Sequence, residues 1–321
     1  MAAFEMSFEE LQKYKGKTPK PEDFDDFWED ALGEHELSNL DYDVYPADFS
    51  AKGTKCQLLK FTGVGGATIQ SKFIIPEEPS EKCKGILMFH GYRFHSGEWT
   101  EKLVYPLAQN AAILAMDVRG QAGGSIDSFE GGLETIYGHI TRGVLEHDPK
   151  KLFYRNVYLD TVKAARILMS MGEIDKNRIG ATGVSQGGGL AVACAALEPQ
   201  IKKLCAFYPF LSDFRRMEDL DFASEAYIQL KQFFRMRDPR HEREDELYYK
   251  LGYIDIQNLA PRIRAEVLWF CGMSDHTCPP STQFAAYNKI TAQKRMILYP
   301  EYDHEKLHGA EDIRFKFFEE L

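Results

Sequence analysis

Gly183-Val-Ser-Gln-Gly187 places a serine between two glycines. A serine hydroxyl attacks a carbonyl carbon only when a base takes its proton, and glycines at this spacing permit the sharp strand-to-helix turn that lifts such a serine out of a sheet. The flanks suit that turn. Arg178-Ile-Gly-Ala-Thr182 reads as a strand ahead of it, and Gly188–Leu197 as a small-residue helix behind it. The turn also aims backbone N–H groups and a helix N-terminus at the site, which favours a developing oxyanion. The competing reading is a glycine-rich turn with an incidental serine.

Where this elbow is catalytic, the acid and then the base follow the serine in the chain. Asp275, in Gly272-Met-Ser-Asp-His276, comes just after an apolar run ending at Phe270. His304, in Tyr302-Asp-His-Glu305, comes just after another ending at Tyr299. Both positions lie beyond the carboxyl end of a strand, where parallel sheets place their ligands. Asp303 and Glu301 compete for the acid, but they sit too close to His304 in sequence, so Asp275 is preferred. The elbow supplies one oxyanion donor, the backbone N–H of Gln186. The second is expected from His90-Gly-Tyr92, after an early strand, with Tyr92 the candidate and His90 a structural residue.

His304-Glu-Lys-Leu-His308 also spells a zinc-peptidase signature. That motif needs a helix to bring both imidazoles onto one face. Here it follows Pro300 and precedes Gly309. Glu311 and Arg314 stand where the extended form needs Gly and His. No metal and no cofactor are expected.

These residues need a sheet to position them. Lys84–His90, Ala112–Asp117, Arg178–Thr182, Lys203–Phe207, Glu266–Phe270 and Arg295–Tyr299 are continuous apolar runs, the pattern of strands covered on both faces. Helical segments at Lys102–Gln109, Arg155–Met171, Gly188–Leu197, Pro280–Lys289 and Gly309–Leu321 separate them, which predicts a mostly parallel sheet flanked by helices. Ahead of it, Lys55–Phe61 and Ala67–Ile75 read as a hairpin. Glu22–Leu37 reads as an amphipathic helix in a helical N-terminal extension over 1–50. The stretch 211–264 is too long for a slack loop and reads as a helical, lid-like insertion. At 321 residues the length prior is about two domains. The pattern instead predicts one domain over 1–321.

Composition narrows the function. Lys and Arg number 39 against 49 Asp and Glu, a net charge of −10. Such a surplus argues against nucleic acid as the partner. No run of eighteen apolar residues suggests a membrane span, and Met1–Lys20 has no apolar core of a secretory signal. The six cysteines form no CxxC pair and read as buried free thiols, so cytoplasm is the expected location. Cys278, close to Asp275, reads as a buried, inert thiol.

Several motifs together resemble carbohydrate esterase family seven, the acetyl xylan esterase and cephalosporin-C deacetylase group of α/β-hydrolases. They are Arg119-Gly120-Gln121, Gly183-x-Ser185-Gln186-Gly187 and His304-Glu305, supported by Asp25-Asp26-Phe27-Trp28, Tyr154-Arg-x-Val-Tyr-Leu-Asp160, Thr277-x-Pro-Pro-Ser-Thr282 and Phe284-Ala-Ala-Tyr-Asn288. The resemblance covers nearly the whole chain. It implies an α/β-hydrolase fold, a Ser185–Asp275–His304 triad, and oxyanion donors at Tyr92 and Gln186. It also implies a scaffold role for Arg119, Gly120 and Gln121, with Arg119 tying the catalytic loops together, and a supporting place for Glu305. The expected activity is hydrolysis of acetyl esters of small sugars by an intracellular homo-hexamer. A serine peptidase of the same fold and a non-catalytic hydrolase-like binding protein are the alternatives. The chain departs from the family at Arg93-Phe94-His95-Ser-Gly-Glu-Trp99, where small and polar residues are usual, and at His276, where lysine is more usual.

Overall fold

The computed structural model describes residues 5–128, 137–221 and 226–321. In chain order the first half contains α1 (Phe8–Lys13), α2 (Phe24–Leu32), α3 (His35–Ser38), β1 (Tyr42–Pro46), β2 (Thr54–Thr62), β3 (Thr68–Pro76), β4 (Cys83–Phe89), α4 (Val104–Gln109), β5 (Ala111–Met116) and α5 (Phe153–Ser170). There follow β6 (Ile174–Val184), α6 (Gln186–Leu197), β7 (Lys203–Phe207), α7 (Arg216–Asp219), α8 (Ile228–Arg237), α9 (Glu244–Leu251), α10 (Ile256–Leu259), β8 (Glu266–Gly272), α11 (Pro280–Tyr287), β9 (Lys294–Tyr299) and α12 (Ala310–Glu319).

The strands form one nine-stranded sheet in the order β1-β2-β3-β5-β4-β6-β7-β8-β9. From β5 to β9 every neighbouring pair is parallel, while β1, β2, β3 and β5 pair antiparallel. Side chains alternate across a strand, so each central strand feeds two cores. Leu87, Leu114, Ala181 and Trp269 pack on the face covered by α5 and α6. Ile86, Ile113, Cys205 and Phe270 pack on the other, against Tyr105 of α4 and Phe318 of α12. Burial on both faces explains why these strands read as unbroken apolar runs.

Two expectations for the N-terminal segment need correction. The helix expected over 22–37 is split, because α2 ends at Gly33 and α3 starts at His35. Residues 1–50 are also not wholly helical. β1 lies there and pairs with β2 as the sheet's edge, all five of its residues exposed. An edge strand with no buried face has no apolar alternation to betray it, and its Pro46 is tolerated because only one side needs ladder bonds.

Helices α7 to α10 occupy the long stretch before β8, whose residues 222–225 lie outside the described ones, as do 1–4 of the N-terminal segment. The stretch is tied to the N-terminal segment. Asp213, fully buried, accepts the Lys17 and Thr18 N–H groups at 2.8 and 2.9 Å and the Tyr14 hydroxyl at 2.7 Å. The Trp28 indole N–H donates to the Tyr253 carbonyl at 3.0 Å.

Candidate active site

Ser185 occupies the single residue between β6 and α6, at φ 57° and ψ −117°. Few residues other than glycine tolerate a positive φ, and such strain persists only where the surroundings enforce it. Here the Ser185 N–H donates to the Phe207 carbonyl on β7, and the Ser185 carbonyl accepts from Gly189 and Phe210, all at 3.0 Å. A Cβ at Gly183 would overlap the Gly187 backbone, and one at Gly187 would overlap the Phe89 carbonyl on β4. Both glycines are therefore steric requirements of the turn.

Asp275 follows β8 and is fully buried. Its Oδ1 accepts the N–H groups of Thr277 at 2.8 Å and Cys278 at 2.7 Å. Its Oδ2 lies 2.9 Å from Nδ1 of His304. Burial raises the carboxyl above its ordinary pKa, against the pull of the His304 bond. His304 follows β9, and its ring sits edge-on to Tyr208 with centroids 4.6 Å apart. Ser185 and His304 line one cleft of about 530 Å³, together with Tyr92, Phe94, Tyr208 and Glu305. Asp275 stands behind it.

Asp303, the acid adjacent in sequence, is engaged elsewhere. Its Oδ1 accepts the N–H groups of His276 and His304 at 2.8 Å each, and its Oδ2 lies 3.1 Å from His276 Nδ1. Burial works to raise its pKa, but these hydrogen bonds outweigh it and hold the carboxyl below its ordinary value. Asp303 therefore joins the loop that carries Asp275 to the loop that carries His304. Glu305 is exposed on the rim of the cleft, its carboxylate 3.3 Å from the Asp303 N–H.

At the end of β4, His90 is buried with Nε2 accepting the Val118 N–H at 2.9 Å, which assigns the proton to Nδ1, facing the Gly91 carbonyl at 2.8 Å. Burial depresses its pKa, in keeping with a neutral structural imidazole. The Tyr92 hydroxyl accepts from the Gln229 amide on α8 at 2.6 Å. Gln186 is fully buried, and its side-chain amide exchanges hydrogen bonds with that of Gln121 at 2.8 and 3.1 Å. It also accepts from the Tyr154 hydroxyl at 2.9 Å. Gln121 in turn accepts the Arg93 N–H at 2.8 Å. Gln121 thus links the elbow to the loop after β4.

Arg119 makes different ties from those expected of it. Its guanidinium grips Asp160 of α5 through two bonds of 2.7 Å and the Val64 carbonyl in the β2–β3 turn at 2.8 Å. It fixes the exit of β5 to α5 and that turn. Gly120, at φ 63°, reverses the chain so that the next residue, Gln121, makes the contacts to the elbow and to the loop after β4 instead.

His304 to His308 form a bend and turn rather than a helix, so their rings do not share a helical face. Among the described residues, no group of three or more His, Cys, Asp or Glu is arranged to hold a metal ion. All six cysteines are free. Cys278 is fully buried, and burial pushes its thiol well above the ordinary pKa although the Ser185 hydroxyl pulls the other way, so it is a poor nucleophile. Sequence reasoning did not find Tyr208 or Gln229. Tyr208 could have been found, because it follows the apolar run 203–207 at the same end of the sheet as the other site residues. Gln229 lies in a charged helical stretch with no local signal.

A strand–serine–helix elbow on a mostly parallel sheet, with Asp275 and His304 on loops after later strands, is the architecture of an α/β-hydrolase. A family model described as acetyl xylan esterase (AXE1) matches residues 1–321. Acetyl esterase Axe7A of Xylanibacter ruminicola is 26% identical over 295 residues, which is 90% of this chain; the chain spans 65% of that relative's length. The crystal structure of acetyl xylan esterase 1 from Thermoanaerobacterium sp. JW/SL YS485 superimposes with a TM-score of 0.93 at 45% identity, covering 98% of this chain and 99% of that one. Acetyl xylan esterase from Paenibacillus sp. R4 gives a TM-score of 0.90 at 36% identity, with the same coverage. The chain belongs to the acetyl xylan esterase (AXE1) family.

Proposed function

We propose that this chain is a serine carboxylic-ester hydrolase that removes acetyl groups from small acetylated sugars, in the manner of an acetyl xylan esterase or cephalosporin-C deacetylase. Ser185, forced into a strained turn, shares a cleft with His304, whose far nitrogen faces buried Asp275. That relation is the single observation that carries the reading. The acetyl group is taken from the names of the relatives.

In the proposed cycle His304 Nε2 takes the Ser185 proton as Oγ attacks the ester carbonyl. Nδ1–H stays on the ring, donating to Asp275, which fixes the tautomer and stabilises the imidazolium. The N–H groups of Tyr92 and Gln186 receive the oxyanion, with the N-terminus of α6 adding its dipole. The alcohol leaves with the proton from His304. A water activated by the same ring then releases acetate and frees Ser185. Asp303 and the Gln121–Gln186 pair hold the loops that carry these groups.

The rest of the reading is one domain over 1–321, a homo-hexamer by resemblance to the family, and a cytoplasmic location. Free, mostly buried cysteines suit a reducing compartment. No helix among the described residues is long and apolar enough to cross a membrane. A panel of esters from acetate to octanoate, with acetylated xylo-oligosaccharides and peptide amides, tests the activity. The reading expects kcat/KM to be highest on acetyl esters. Preference for octanoate or for amides would refute it. Sizing at several concentrations tests the hexamer.

A further inference from the structure

The loop after Tyr92 carries Arg93 and Phe94, and its geometry gives those residues a use. Phe94 is 67% exposed, yet it lines the same cleft as Ser185 and His304. A Cβ placed on Gly91 would stand 3.8 Å from the Phe94 ring and 3.8 Å from the carbonyl of Val184, the residue before the nucleophile. The ring therefore stands beside the elbow.

Three contacts define the turn that carries it. The Phe94 N–H donates to the Gly91 carbonyl at 3.2 Å, closing the turn. Arg93 sits at φ 69°, its N–H held by buried Gln121. Its guanidinium lies over the rings of Tyr92 and Tyr137, 5.7 and 4.8 Å from their centroids. Single exposed apolar side chains are common on protein surfaces. A phenyl ring mounted on a pinned, strained turn at the mouth of a catalytic cleft is a different case. Its uncovered face is apolar area that a ligand would remove from water.

A pyranose ring has apolar C–H faces and a polar edge of hydroxyls. An aromatic ring suits the face, and Glu305 and Lys306 on the same cleft suit the edge. The acyl carbon must lie at Ser185, and the leaving oxygen must lie near His304 to take its proton. The larger alcohol half then extends along the open rim, where Phe94, Glu305 and Lys306 are exposed. We infer that Phe94 is the stacking platform for the sugar ring of the leaving alcohol. This assignment rests on the esterase reading above.

The test compares wild type with Phe94→Ala, Phe94→Leu and Phe94→Trp on two acetyl esters, methyl tri-O-acetyl-β-xylopyranoside and ethyl acetate. The quantity read is the ratio of kcat/KM for the pyranoside to that for ethyl acetate. In Phe94→Ala and Phe94→Leu this ratio falls about tenfold, mainly through the pyranoside KM, and Phe94→Trp keeps it. An unchanged ratio, or Phe94→Leu behaving as wild type, overturns the platform. If wild type hydrolyses neither ester, the esterase reading is what has failed. Calorimetric titration of wild type and Phe94→Ala with xylotriose then reads the platform alone. Binding weakened about tenfold supports it, and equal binding refutes it.

Discussion

His304 Nδ1 lies 2.9 Å from Oδ2 of Asp275, and the other oxygen of that fully buried carboxylate is occupied by two backbone N–H groups. Asp275→Asn keeps the shape and can keep both backbone bonds, but it presents an N–H where the imidazole needs an acceptor. The tautomer inverts, and kcat should fall by roughly 10⁴, the loss seen for this exchange in a serine protease.

The same substitution should not cost stability. Burial raises the folded-state pKa of Asp275 above its ordinary value. A carboxyl raised on folding contributes stability that is fully present below its unfolded pKa, near 4, and lost as pH rises through the folded value. Thermal melts from pH 3.5 to 7 should therefore show Asp275→Asn gaining on wild type as pH increases. A variant that loses ground to wild type as pH rises would contradict the assignment of burial as the dominant cause.

Gln121 bonds both of the segments proposed to receive the oxyanion. Gln121→Met removes the acceptor of the Arg93 N–H and leaves the buried Gln186 amide short of its partner. Each unsatisfied group costs about 1–3 kcal/mol. Displacement of either N–H donor should lower kcat on acetyl esters by roughly 10–100-fold, less than outright loss of a donor. Because Gln121 and Gln186 bond each other, the double variant with Gln186→Met should cost less than the sum of the singles.

Arg119 has a structural consequence of its own. Arg119→Leu would strand the carboxylate of Asp160, itself fully buried, and should destabilise the fold by about 3–5 kcal/mol in urea unfolding. Arg119→Lys should recover only part of this, since an ammonium cannot reproduce the forked contact with both oxygens. Adding Asp160→Leu to Arg119→Leu should recover more than lysine does.

The His304–His308 repeat yields a prediction about metal. A zinc peptidase would lose activity to a chelator, whereas the proposed cycle draws its nucleophile from Ser185. Acetyl-ester hydrolysis after dialysis against EDTA should equal that of the untreated protein.

What could be read in advance follows from where constraint is local. The elbow announces itself because glycines on both sides of Ser185 are forced by backbone contacts within a few residues and by one strand edge. The central strands announce themselves because burial on both faces leaves only apolar residues, as in Ala111–Met116. Asp275 could be separated from Asp303 by place in the chain alone, and their different hydrogen-bond partners have a physical basis in the two loops that Asp303 joins. Other features depend on distant chain. β1 has no buried face to pattern it. The division of labour between Arg119 and Gln121 turns on the direction of the chain at Gly120, and Gln229 meets Tyr92 only because α8 folds back across 137 positions.

Ser185 is the direct test. Treating the protein with a fluorophosphonate and sequencing the labelled peptide by mass spectrometry should place a single adduct on Ser185. Ser185→Ala, folded by circular dichroism, should take up no label and hydrolyse p-nitrophenyl acetate at no more than about a thousandth of the wild-type rate. A variant that retains the wild-type rate, or an adduct on another residue with Ser185 unmodified, would contradict the account.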